Sequence, residues 1–227
     1  DRWRLGAECM KNPFDTPERV AFRKTLRDFV EKEIKPNADA WDEAGEIPWQ
    51  LHQMVGALGV WGFGIEEQYG GLGMDDCFMR ATYNEEFAMC GANGVPAALN
   101  GRMISIEPIQ RLANADIRLR ALPEFVSGRK GSSLGITEPS GGSDVAGMKT
   151  HARLDDNSYV INGSKTFITG GMTSDFFVIG ARTGGDGLVG ISLFFVDAAT
   201  PGFSRTNPHD DRDSSHRWCR VPGQSSQ

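Results

Sequence analysis

The sequence predicts an α+β chain built as two units, a helical one over residues 15–131 and a small antiparallel β unit over 132–206, followed by a polar tail over 207–227. Three observations predict it. Apolar residues recur with helical period up to about residue 130. Short runs rich in β-branched and aromatic residues, separated by turn residues, then take over. From Asn207 onward the text turns to His, Asp, Arg, Ser and Gln with almost no apolar periodicity, the composition of a disordered tail.

The helices follow in order. Thr16-Pro17-Glu18 reads as an N-cap followed by proline at the first helical position, where its missing donor costs nothing. Phe22, Leu26, Phe29, Val30 and Ile34 form one apolar stripe, which ends near Lys35-Pro36. Leu51, Met54, Val55 and Leu58 form a second at i, i+3, i+4 and i+7. A third helix begins near Asp75 or Asp76 and carries Phe78, Tyr83 and Phe87. A further one is expected around Ala97–Leu112, and Asp116–Phe125 reads as helical despite Pro123. Strands are expected over Ser133–Thr137, Tyr159–Asn162, Phe167–Thr169, Phe176–Ile179 and Ile191–Val196, with turns at Asp155–Ser158 and Thr183–Gly187.

Composition narrows the function classes. With 227 residues the chain can bury a substantial core. A net charge of -6 and a pI near 5.3 argue against nucleic acid or an anionic membrane as partner. No apolar run reaches the length of a membrane span, and no secretory leader is legible, so a cytoplasmic or mitochondrial-matrix setting is expected. Cys9, Cys77, Cys90 and Cys219 are scattered without regular spacing and are read as reduced thiols. His209, His216 and Cys219 lack a fourth ligand and a structured hairpin, so no metal site is expected there; His52 and His151 are left without a role.

Two segments carry chemistry. Gly135–Gly147 combines a strand-like start, a proline and a glycine-rich polar turn. It can be a capping turn between the two units, with Thr137, Ser140 and Ser143 bonded to their own backbone. Equally it can be a nest whose amides, with the Thr137 and Ser143 hydroxyls, hold a phosphate or a heteroaromatic ring. No GxxxxGK[ST] motif occurs and no GxGxxG turn opens a βαβ unit, so neither the phosphate-loop nor the Rossmann reading is supported. The second segment is Asn162–Gly171. There Phe167 can offer an aromatic face, with Thr169 on the same side of an extended strand, or Phe167 can be core and Lys165 a solvated charge.

Together these segments resemble the acyl-CoA dehydrogenase family of flavoproteins. The first matches its middle-domain signature at Gly135, Ile136, Thr137, Glu138, Gly142, Ser143, Asp144 and Gly147. The second is similar to its lysine, aromatic, aliphatic, hydroxyl strand at Lys165, Phe167, Ile168 and Thr169. Gly59, Gly62, Glu67 and Tyr69–Gly73 extend the likeness, which covers about residues 14 to 206.

The resemblance implies a helical domain followed by a β-barrel that holds FAD. By position, Leu134, Ile136, Thr137, Gly142 and Ser143 would line the flavin or its diphosphate, and Phe167 and Thr169 would pack on the isoalloxazine. Ser143 would also lie near the thioester of an acyl-CoA substrate. The family often has tryptophan at the position of Phe167, so the stacking face is kept and an N–H donor is lost.

The implied reaction is the oxidation of an acyl-CoA to the trans-2-enoyl-CoA in fatty acid and lipid metabolism. A carboxylate takes the α-proton, the β-hydride goes to flavin, and an electron-transfer flavoprotein reoxidises it; family members are homodimers or homotetramers. The family's C-terminal helical bundle and its catalytic glutamate are not found, so the chain is expected to be an incomplete form, and no catalytic residue is assigned. Glu138 is expected to be structural. Two alternatives stay open: a non-catalytic FAD or acyl-CoA binding module, and a related flavin oxidase or monooxygenase.

Overall fold

The computed structural model describes residues 13–206 and 218–222. Helix α1 (Pro17–Phe29) starts as the sequence predicts, the Thr16 hydroxyl accepting the Arg19 amide at 3.3 Å. The chain does not stop at Lys35-Pro36. It loosens into a π-helical turn (Val30–Ile34), tightens into a 3-10 turn (Lys35–Asn37) and continues as α2 (Ala38–Ala44). Pro36 has no amide to donate, so the change of pitch falls around it.

Helix α3 (Trp49–Ala57) buries Leu51 and Val55. Helix α4 (Cys77–Ala88) is capped by the Asp76 carboxylate, which accepts the amides of Phe78 and Met79 at 2.9 and 3.3 Å. The single helix expected over Ala97–Leu112 is two, α5 (Gly94–Asn100) and α6 (Ile106–Leu112), joined by a 3-10 turn (Met103–Ser105). Gly101 ends the first, and Pro108, which cannot donate back along a continuous helix, sits in the opening turn of the second. Helix α7 (Ala115–Val126), capped by Asn114, carries Pro123 inside. Among the described residues no helix is long and apolar enough to cross a membrane.

The strands are β1 (Ser132–Gly135), β2 (His151–Asp155), β3 (Ser158–Asn162), β4 (Phe176–Arg182), β5 (Ile191–Asp197) and β6 (Trp218–Pro222). They form one mixed sheet, which corrects the expectation of an antiparallel barrel. Strand β4 is its axis. It pairs with β5 antiparallel along its whole length and with β1 in parallel, from Ser132↔Phe176 to Gly135↔Ile179. It also meets β2 in parallel at His151↔Arg182. The long excursion between β1 and β4 brings the chain back in its original direction, so a hairpin-type antiparallel pair cannot form there. Strands β2 and β3 do form a hairpin, turning at Asp156 with φ 53. Among the described residues β5 and β6 do not pair, and the sheet stays open.

Two other expectations are corrected. Phe167–Thr169 is not a strand, because Phe167 has φ 55, which breaks the pleat. Within the expected polar tail, Trp218–Pro222 is a strand whose backbone pairs antiparallel with β3, satisfying that strand's outer edge. Residues 1–12, 207–217 and 223–227, and with them Cys9, His209 and His216, lie outside the described residues. Cys77 and Cys90 are free thiols.

One core runs from the helices into the sheet. Leu26, Phe87, Leu99, Ile109, Leu122 and Phe125 pack together with Phe176 and Val178 of β4 and Phe195 of β5. Phe177, Ile179 and Ala181, the alternate residues of β4, face a second cluster with Phe194, Val196, Ala152 and Ile161. Being covered on both faces is why β4 reads as an unbroken apolar run.

Phe125, buried and 5.5 Å from the Trp61 ring, anchors α7 in the larger core. Truncation to alanine is expected to cost about 3–5 kcal/mol in chemical denaturation. Leu119→Ala, on the exposed side of the same helix, should stay within about 0.5 kcal/mol. Equal losses for the two variants would contradict the packing described.

Candidate ligand-binding face at the β1 loop

Beyond β1 the chain passes through Ile136 and Thr137 into a tight turn. The Glu138 amide donates to the Gly141 carbonyl and the Gly141 amide to the Glu138 carbonyl, both at 3.0 Å. Pro139 and Ser140 occupy the exposed middle of the turn, as turn chemistry favours. Asp144 then caps a 3-10 turn (Val145–Gly147) by accepting the Gly147 amide at 3.1 Å. Arg182, at the end of β4, fixes that turn from beneath, donating to the carbonyls of Met148 at 3.1 Å and Ala146 at 2.6 Å. Its remaining donors reach the Gly185 and Gly187 carbonyls at 2.6 and 3.1 Å.

The Glu138 side chain is buried beneath the loop and fully engaged. It accepts from Lys165 Nζ at 2.9 Å and from the amides of Lys149 and Thr150 at 2.8 and 2.9 Å. Burial works to raise its pKa, but the Lys165 ammonium and the two amides outweigh it and hold the carboxyl at about 2. Lys165 also donates to the Ile136 carbonyl at 3.0 Å, and burial draws its pKa down while Glu138 opposes the shift. The resemblance marks this lysine as a signature position, but its partner appears only when the two segments meet.

The second segment lies directly against the first. The Thr166 amide donates to the Thr137 carbonyl at 3.0 Å, and the buried Ser133 hydroxyl donates to the Thr169 carbonyl at 2.7 Å. Phe167 then stands 88% exposed, in a left-handed backbone conformation that an aromatic residue rarely adopts. Thr169 is exposed beyond it.

On the loop, Gly142 and Ser143 are exposed, and their amides and the Ser143 hydroxyl have no partner among the described residues. A Cβ at Gly142 would meet the Thr137 methyl at 3.3 Å, so Thr137 links the loop to the Phe167 segment. Two of the sequence-predicted residues are turned inward. Leu134 packs partly buried against the helical core, and Ile136 lies with Met148 over Gly180, where an added Cβ would fall 2.9 Å from Ile136 Cδ1.

A hollow of about 170 Å³ opens beside the loop, lined by Ile136, Glu138, Ser140, Gly142, Asp144 and Met148 among others. Enclosed small-molecule sites run from about 300 to 1,000 Å³, so a large ligand must lie across the face rather than inside it. What the face offers is one bare aromatic ring, small hydroxyls and free amides. That donor set fits a flat heteroaromatic ring with hydrogen-bonding edges, or a phosphate.

Comparison with known proteins places the chain. Residues 16–129 match the family model of the acyl-CoA dehydrogenase N-terminal domain, and 133–220 that of the middle domain, past the Thr206 limit read from sequence. An acyl-CoA dehydrogenase of Bacillus subtilis is 36% identical over 190 residues, 83% of this chain and 50% of that protein. Butyryl-CoA dehydrogenase from Megasphaera elsdenii has a similar structure, with a TM-score of 0.79 and 29% identity over 94% of this chain and 57% of that one. An acyl-CoA dehydrogenase from Bacillus anthracis, solved complexed with FAD, superposes with a TM-score of 0.75 and 27% identity, over 94% and 38% of the two chains. The chain spans about half the length of the curated relatives it matches.

Glu138→Gln removes the charge opposite Lys165 and is expected to destabilise the protein by about 3 kcal/mol or more. Adding Lys165→Met should restore part of the loss. The folded carboxyl, at about 2, lies below its ordinary 4.5, so its contribution is full above about pH 4.5 and disappears as pH falls toward 2. Denaturation curves of wild type and Glu138→Gln between pH 7 and 2 should therefore converge on acidification; parallel curves would contradict the pairing.

Proposed function

The chain belongs to the acyl-CoA dehydrogenase family, and from that footing we propose that it holds FAD across the β1 loop for the α,β-dehydrogenation of an acyl-CoA thioester to the trans-2-enoyl-CoA. The family uses FAD, and the bound cofactor supplies the hydride acceptor. The remaining work falls to the chain. The Phe167 ring stacks on the flavin, Thr137 and Thr169 offer hydroxyls to it, and the Gly142 and Ser143 amides serve its polar edge or diphosphate. Leu134 and Ile136 back the face from inside the sheet. Ser143 also positions the thioester end of the substrate.

Glu138 does not take the α-proton in this reading. Its carboxylate is buried and already satisfied by one ammonium and two amides, so it has neither the basicity nor the access for that step. The electrons pass on to an electron-transfer flavoprotein.

The observation that carries the proposal is Phe167. An exposed aromatic ring on a left-handed backbone is unfavourable twice over in an empty protein, and such outliers gather at ligand clamps. Titration of the purified chain with FAD, followed by flavin fluorescence, tests it. Phe167→Ala should weaken binding about 3- to 10-fold, the worth of one aromatic stack, and Phe167→Trp should preserve it. Phe167→Gly should weaken binding and yet stabilise the unliganded chain by about 0.5–1 kcal/mol, since glycine takes this φ freely. Wild type that takes up no FAD, or variants that bind it equally, would sink the proposal.

A further inference from the structure

Arg102 is buried in the helical unit, and among the described residues no carboxylate stands in salt-bridge contact with it. Its guanidinium stacks over the Trp49 ring at 4.6 Å, and Nη2 donates to the Thr173 hydroxyl at 2.7 Å. Nε and Nη1 are buried with no partner among the described residues. The Asp175 carboxylate acts on Arg102 through charge, while it accepts the Gly131 amide at 2.9 Å. Leaving buried donors of a cation unmatched is costly, so packing within the helices does not account for the residue.

Outside the helices Arg102 packs against Gly131, in the link before β1, and against one short turn. Thr173 is its hydrogen-bond partner, and a Cβ on Gly170, which has φ 71, would lie 3.4 Å from Arg102 Cζ. The preceding residue meets the same turn, because a Cβ on Gly101 would fall 2.3 Å from the Thr169 methyl. Residues 101 and 102 thus support 169, 170 and 173 from below. Within the turn the amides of Thr173 and Ser174 donate to the Gly170 carbonyl, and that of Gly171 to Ile168. From the other side Arg205 donates to the carbonyls of Met172 and Ser174 at 2.7 and 3.1 Å.

We propose that Arg102 is a positioning residue that reaches from the helical unit to latch the 169–174 turn through Thr173, and so sets the height of Thr169 and Phe167 over the ligand face. The inference rests on the flavin reading above and adds to it a residue from outside the signature segments. Burial brings the guanidinium pKa down to about 10 against the opposing pull of Asp175, so the latch stays charged at neutral pH.

Thr173 gives the cleaner test, since it is exposed and touches no part of the proposed flavin face directly. Thr173→Val removes the acceptor, and Thr173→Ser keeps it. Two readouts are taken on each: amide hydrogen exchange of the unliganded chain, and the dissociation constant for FAD. Thr173→Val should speed exchange at Gly171, Thr173 and Ser174 about tenfold, and weaken FAD binding about 5- to 10-fold, in line with loss of one charge-assisted bond. Thr173→Ser should match wild type in both. Unchanged exchange, faster exchange with unchanged FAD affinity, or exchange raised throughout the chain would each overturn the latch. If wild type binds no FAD, the flavin reading fails and this inference with it, a result visible before any variant is compared.

Discussion

The buried carboxylate of Glu138 is the contact on which the ligand face depends. Two stretches of chain beyond the β1 loop converge on it: the backbone at Lys149 and Thr150, and Lys165. Each supplies a donor to a charged acceptor, which makes these among the stronger hydrogen bonds available to a protein. Lys165 also holds the Ile136 carbonyl, so the two signature segments cannot slide past each other without breaking a largely buried charge pair. The residues above it, half-buried Thr137 and exposed Gly142, Ser143, Phe167 and Thr169, are held near one another by this buried knot together with the Thr137 contacts to Gly142 and Thr166.

Much of the helical unit was legible because its signals are local. Thr16 and Asp76 cap helices where a side-chain oxygen precedes an apolar stripe, and Leu51 and Val55 bury at the spacing their period predicts. The signature loop was legible too, as a string of residues. What remained hidden was non-local. Period-two patterning presumes a pleated strand, and it fails at Phe167 because one left-handed residue abolishes the pleat. The parallel pairing of β1 with β4 depends on the path of the intervening excursion, which no residue in either strand encodes. Lys165 and Arg182 look like surface charges in sequence, since their acceptors are mostly backbone carbonyls contributed by other loops.

The two units are mechanically one across β4. Phe176 and Val178 complete the helical core, and the intervening residues Phe177, Ile179 and Ala181 form the smaller one behind the sheet. Interiors this closely packed transmit displacement instead of absorbing it. A shift in α5 or in the turn after it therefore reaches the loop beside the ligand face through the Gly101 and Gly170 contacts.

The bare ring of Phe167 also bears on the life of the protein before anything covers it. A large apolar surface held out in water on a disfavoured backbone is a site where a chain waits in a form that is less stable than its occupied counterpart. If the flavin caps the ring as proposed, occupancy and survival are thereby coupled. In a cell that clears partly opened chains, scarcity of the molecule that caps this ring lowers the amount of protein as well as the fraction that is loaded.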